Sequence, residues 1–194
     1  MAVKRLSATR WSAHHDAVNP VDKQFDKFVE AIKALCDPKE NLKTRGDAEI
    51  LLPSLLNFTF LCYLYLWSDI LAEVNHTQKY LQIKGLPLDK VVTKLEALRI
   101  YLLEECNNLV EKSIQKALIK SVEYDIDVER RVRYKKMMPG ELARDAGLTL
   151  KEENQRDMLK CIDRFHTELQ TRLKAIKYVA DMFEAVQTKS LITA

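Results

Sequence analysis

The sequence predicts an all-α fold: a bundle of long antiparallel helices around a buried central helix. Three observations carry that prediction. Only 4 glycines and 5 prolines are spread over 194 residues. That is too few for the turns of a β-rich fold or for the phosphate loops of a nucleotide-binding α/β fold. Apolar residues recur at steps of three and four through most of the chain, which places them on one face of a helix. Residues 50–67 carry no charge at all, the pattern of a helix buried on several sides.

The first element follows from Val21, Phe25, Phe28, Val29, Ile32 and Leu35, a single helical stripe. Asp37-Pro38 ends it, because the residue before a proline is pushed out of the helical region. Pro20 either begins this helix or kinks a longer one. The second option is preferred, with Ser12 as N-cap and residues 13–18 compatible with a helix. Residues 41–46 are polar and read as a loop.

A long helix is then expected over residues 47–82, with Pro53 in its first two turns, where a missing N–H costs least. Its uncharged part, 50–67, touches the lower length limit of a membrane span. Pro53, Ser54, Asn57 and Thr59 interrupt that run, however. Asp47, Glu49 and Asp69 flank it, and no basic cluster lies just outside it. It is therefore read as the central buried helix, with no membrane partner.

Gly85-Leu86-Pro87 signals a turn, and Asp89 suits the start of the next helix. Val91, Leu95, Leu98, Leu102, Cys106, Leu109, Val110, Ile114, Leu118 and Val122 form a stripe of more than thirty residues. This helix is either long or broken near Asn107-Asn108. Residues 137–153 hold Pro139, Gly140 and Gly147 and read as a linker. The last helix is expected over 155–186, with Met158, Ile162, Phe165, Leu169, Leu173, Ile176, Val179 and Phe183 near heptad spacing.

Composition bounds the chemistry. With 47% apolar and 30% charged residues, the chain has ample apolar material to offset chain entropy, so disorder is not expected. A net charge of +3 does not imply nucleic-acid binding, which must rest on local clusters. Cys36, Cys62, Cys106 and Cys161 are far apart and lack zinc-ligand spacing. They read as small buried thiols in a reducing compartment. His14, His15 and Asp16 are adjacent, and adjacent residues on a helix do not face one another. Glu104-Glu105 and the pair Asp125 and Asp127 read as solvated surface, since metal chemistry needs carboxylates converging from separate elements. No nucleophile–base pair, metal cluster or phosphate loop is apparent, so neither enzyme activity nor a cofactor is expected.

Two features remain. Arg130, Arg131, Arg133, Lys135 and Lys136 put five basic residues in seven, with Tyr134 among them. They read equally as a phosphate-contacting patch, a nuclear import signal or a solvated linker. Arg10-Trp11 is the other. Its indole either packs on the first helix or stacks on an unpaired base, with the guanidinium near the phosphate.

Leu6-Ser7-Ala8-Thr9-Arg10-Trp11-Ser12, followed by His15-Asp16-Ala17-Val18, resembles the Thr-Arg-Trp-Ser motif of hAT-superfamily transposases. The likeness is to the domesticated branch that includes zinc-finger MYM-type protein 1-like proteins. Residues 71–81, ending in Lys79-Tyr80-Leu81, and residues 164–183, ending in Ala180-Asp181-Met182-Phe183, are similar to two later helical segments of the family.

The resemblance implies a helical insertion domain without the catalytic acids, which in the family lie before and after it. It likewise implies that the zinc finger and the dimerisation segment lie outside this chain. It matches Trp11 to a tryptophan that stabilises a flipped base and Arg10 to its basic neighbour. The expected organisation is a main bundle over 1–129, a basic linker over 130–153, and a long helix over 154–188 packing back on the bundle. The function expected from the resemblance is a non-catalytic domain that contacts transposon-end DNA weakly and without sequence preference, in the nucleus. The alternative is a protein–protein interaction module, in the cytoplasm if not the nucleus, that binds a helical partner or a second copy.

Overall fold

The computed structural model describes residues 11–129 and 148–192, with side chains over 13–129 and 148–183. The described residues form seven helices and no strand. These are α1 (Trp11–Lys23), α2 (Phe25–Leu35), α3 (Leu42–Leu55), α4 (Phe58–Leu81), α5 (Leu88–Glu104), α6 (Cys106–Glu123) and α7 (Leu150–Ile192). The all-α class follows directly from the apolar periodicity.

α1 runs through Pro20, as the kinked-helix reading expects, and the break falls four residues later at Gln24. α2 then buries Phe25, Val29 and Ile32, three positions of the stripe.

The expected long helix over 47–82 is two helices. α3 begins at Leu42, because the Asn41 side chain accepts a hydrogen bond from the Thr44 N–H at 2.8 Å. The polar stretch 41–46 is thus a cap and first turn rather than a loop. Pro53 falls in the last turn of α3, not the first two turns. Its missing N–H leaves the Glu49 carbonyl without a helical partner just before the chain turns. Asn57 restarts the chain by accepting from the Phe60 N–H at 3.2 Å. The two helices are bent by 76° at this break. No single described helix is long and apolar enough to cross a membrane; α3 and α4 pass that test only together, as this bent pair. The uncharged run is therefore not one buried rod: Ile50 is 74% exposed on α3, whereas Leu61, Cys62 and Leu66 on α4 are fully buried.

α4 packs against α1, α3, α5, α6 and α7. Its buried residues join Leu102, Leu109, Val110, Ile114, Met158 and Ile162 in one apolar cluster. Burial pushes the Cys62 thiol up to about 12, so it stays protonated and inert at neutral pH. All four cysteines are free thiols.

Gly85 takes φ +72 in the turn after α4, a conformation that favours glycine. The next stripe breaks at Glu105, just before the Asn107-Asn108 alternative. On α6, Leu109, Val110 and Ile114 are buried as expected, but Val122 is 85% exposed. Each four-residue step overshoots a full turn by about 40°, so the series 114, 118, 122 drifts off the core face. Ser113, Ala117 and Ser121 occupy that face instead. α7 starts at Leu150, ahead of the expected Gln155, because Thr149 and Glu152 form a reciprocal cap. The Thr149 N–H donates to Glu152 Oε2 at 2.8 Å, and the Glu152 N–H donates to Thr149 Oγ1 at 3.2 Å. The last four residues of the expected linker are thus helical.

A charged seam joins α6 to its neighbours. Lys112 Nζ lies 2.8 Å from Asp69 Oδ2 on α4, and Lys116 Nζ lies 3.8 Å from Asp69 Oδ1. Lys120 donates to Asp26 of α2 at 2.6 Å, and the Tyr124 hydroxyl donates to the same oxygen at 2.7 Å. Those bonds, Lys120 first, hold the Asp26 carboxyl below its ordinary value. Bonds from Arg99 and then Lys177 do the same to Glu96.

Both carboxyls bind protons more weakly folded than unfolded. Their stabilisation is therefore complete above the ordinary values of 3.8 and 4.5 and is lost as pH falls through the lowered ones. An Asp26→Asn/Glu96→Gln protein is expected to be less stable than wild type near about pH 6, with the gap closing below about pH 4. Urea unfolding across that range measures it; a gap that widens on acidification contradicts the assignment.

Candidate functional site

The residues singled out in the sequence sit at the margins of the described structure. Arg10, Arg130, Arg131, Arg133, Lys135 and Lys136 lie outside the described residues. Trp11 is the first residue of α1, and its side chain is likewise undescribed. What is fixed is the frame around the basic stretch. On its upstream side, Asp125 adopts φ 52 and the Ile126 N–H donates to the Ser121 carbonyl at 2.8 Å. Together they close α6 in a Schellman-type turn. Ile126 and Val128 then pack on the core. On its downstream side Leu150 packs on the same cluster.

The paired acids have local roles. Asp125 supplies the left-handed residue of that turn, and Asp127 accepts the Glu129 N–H at 2.8 Å. Glu105 accepts from Asn108 at 2.6 Å at the α5–α6 break. The histidines do not converge. His15 Nδ1 is 3.2 Å from Asn75 Nδ2, and His166 Nε2 is 3.2 Å from Arg99 Nη1. His14 lines a groove between α1 and α4, and His76 lines a cleft between α4 and α5. Among the described residues no three His, Cys, Asp or Glu side chains come together to hold a metal ion.

Two concavities stand out. The α1–α4 groove encloses about 480 Å³ and carries Phe60, Tyr63 and Trp67 along one face of α4, opposite Val18 and Val21. It is almost wholly apolar. The α4–α5 cleft encloses about 370 Å³ and is lined by His76, Tyr80, Lys90, Thr93, Lys94 and Ala97. Its surface is mostly apolar, with Lys90 and Lys94 as the cations among its lining residues.

A third surface is the far end of α7. Met158, Ile162 and Leu173 are buried, but Tyr178, Val179, Met182 and Phe183 are 45–68% exposed. The near-heptad stripe thus leaves the bundle after Ile176. None of these three surfaces is visible in the sequence. Each depends on which helices stand beside one another.

No protein-family model, curated protein or solved structure matches the chain.

Proposed function

We propose that this chain is a non-catalytic helical domain that contacts DNA through its phosphate backbone, weakly and without sequence preference. One feature carries the reading: five cations in seven residues occur in the segment between α6 and α7, two helices that pack together, and Val128 and Leu150 in the described residues on either side rest on the core. Five cations so close in sequence can contact several phosphates of one backbone, and the released counterions drive association. The Thr-Arg-Trp-Ser resemblance supports the same ligand, with Trp11 as the stacking residue and Arg10 beside it. It also supports placement of the domain in the nucleus, as part of a transposase-derived protein whose catalytic acids lie elsewhere.

Titration of a labelled hairpin DNA at several salt concentrations tests this. Binding is expected at low salt. Joint charge reversal at Arg130, Arg131, Arg133, Lys135 and Lys136 is expected to flatten the salt dependence by about one unit per lost phosphate contact. A wild-type chain that ignores the hairpin even at low salt would end the proposal.

A second reading, a protein–protein interaction module, is favoured by the exposed Tyr178, Val179, Met182 and Phe183 on α7. Such a contiguous apolar patch is unusual on a free surface. Sedimentation of the chain would show self-association under that reading.

A further inference from the structure

We propose that the cleft between α4 and α5 is a phosphate seat, formed by residues other than those of the basic stretch 130–136. Four observations lead there. First, the cleft walls are single helix faces. His76 and Tyr80 are one turn apart on α4, while Lys90, Thr93, Lys94 and Ala97 share a face of α5.

Second, Lys94 is half-buried, yet among the described residues no carboxylate lies within ion-pair distance of it. Lys151 on α7 is likewise half-buried without such a carboxylate, but several other lysines on the bundle are paired. Lys112 and Lys116 share Asp69, Lys120 has Asp26 and Glu123, and Lys177 has Glu96. An anion in the cleft would supply Lys94 with the counter-charge that the described residues do not.

Third, the acids on the two walls are few. Asp89 is 4.0 Å from Lys90 and lies in the first turn of α5, where the helix N-terminus already favours it. Glu73 stands one turn before His76 on α4. Against these stand the two cations of the lining, Lys90 and Lys94.

Fourth, the donors suit phosphate. The Thr93 hydroxyl is already used, donating to the Asp89 carbonyl at 2.8 Å. That leaves two ammonium groups, an imidazole and a phenol along one cleft. Lysines bind phosphate as point charges rather than through a planar fork, which suits a tetrahedral group read without regard to base.

The ligand is therefore a phosphate group, either a phosphodiester of a nucleic-acid backbone or a small free phosphate such as a nucleoside monophosphate. The full chain tests both. For the first source, hairpin affinity is compared between wild type, Lys90→Glu/Lys94→Glu, and Lys39→Glu/Lys43→Glu. The last pair makes the same charge change at exposed lysines away from the cleft. The cleft pair is expected to lose about ten-fold in affinity at low salt and about two units of salt slope, with a clearly smaller loss for the control pair.

For the second source, inorganic phosphate and a nucleoside monophosphate are titrated while the His76 ring resonance is followed, identified by its loss in His76→Gln. A saturable shift in wild type that Lys94→Gln abolishes supports a small-phosphate site. Lys94→Gln removes the charge while keeping a polar, unbranched side chain, and circular dichroism checks that every variant retains its helix content. Equal losses for the two lysine pairs, together with a His76 resonance indifferent to phosphate, would overturn the assignment. If only charge reversal over 130–136 weakens hairpin binding and phosphate leaves His76 unmoved, the DNA reading stands and the cleft proposal falls.

Discussion

Leu66→Ala is expected to lower the unfolding free energy by about 2–5 kcal/mol, which for a chain of this size moves the melting temperature by roughly 5–15 °C. Leu66 is fully buried on α4, in the same cluster as Phe58, Leu61, Ile70, Leu102 and Ile114. The cost has two parts. The removed carbons lose their transfer out of water, and the space they leave stays partly empty. α4 packs against five other helices, so collapse of that space would have to shift several rigid elements together. Val122→Ala, at a side chain 85% exposed, is expected to stay within about 0.5 kcal/mol of wild type. Denaturant unfolding followed by circular dichroism separates the two. A Leu66→Ala cost no larger than that of Val122→Ala would refute the placement of α4 in the core.

Met158→Asp is expected to do more damage, above about 4 kcal/mol, and to release α7. Met158 is fully buried where α7 meets the central cluster. A carboxylate there has no cation within the apolar cluster, so it must either stay charged without water or protonate at a large cost. α7 makes its firmest contacts through Met158, Ile162 and Leu173, and loss of the first weakens the whole edge. Limited proteolysis is expected to cut α7 in the variant far faster than in wild type. Tyr178→Asp is the companion experiment. At 68% exposure it adds the same charge to the same helix at little cost. If both variants resist protease equally, α7 is not held where Met158 sits.

Much of the fold was legible as periodicity. The stripes at Phe25, Val29 and Ile32, at Leu98 and Leu102, and at Met158 and Ile162 all face the core. Several boundaries are written in the sequence as cap residues. Thr149-x-x-Glu152 is a capping box in plain sequence, and Asn41 and Asn57 are cap residues that each precede a helix. The uncharged run through Asn57 hid the second of these, because a lack of charge reads as continuity even where the backbone turns by 76°. Val122 misled for a different reason. A stripe extended by steps of four drifts around its helix, and no local pattern says where the neighbour ends.

The candidate sites divide in the same way. The cluster from Arg130 to Lys136 and the pair Arg10-Trp11 are conspicuous as composition. The α4–α5 cleft is not, because His76 and Tyr80 are separated from Lys90 and Lys94 by a turn and come to line one cleft only when two helices pack.

The amino-acid order alone determined that this chain is helical and which face of each helix is apolar. The 3.6-residue repeat sets the angle of every side chain about its own axis, and four glycines and five prolines seldom interrupt it. Only the packed bundle decided which apolar faces are covered, that α7 keeps an open face beyond Ile176, and that Lys94 stands without a carboxylate among the described residues. Burial and charge pairing are relations between helices, and the spacing within any one of them cannot state who its neighbour is.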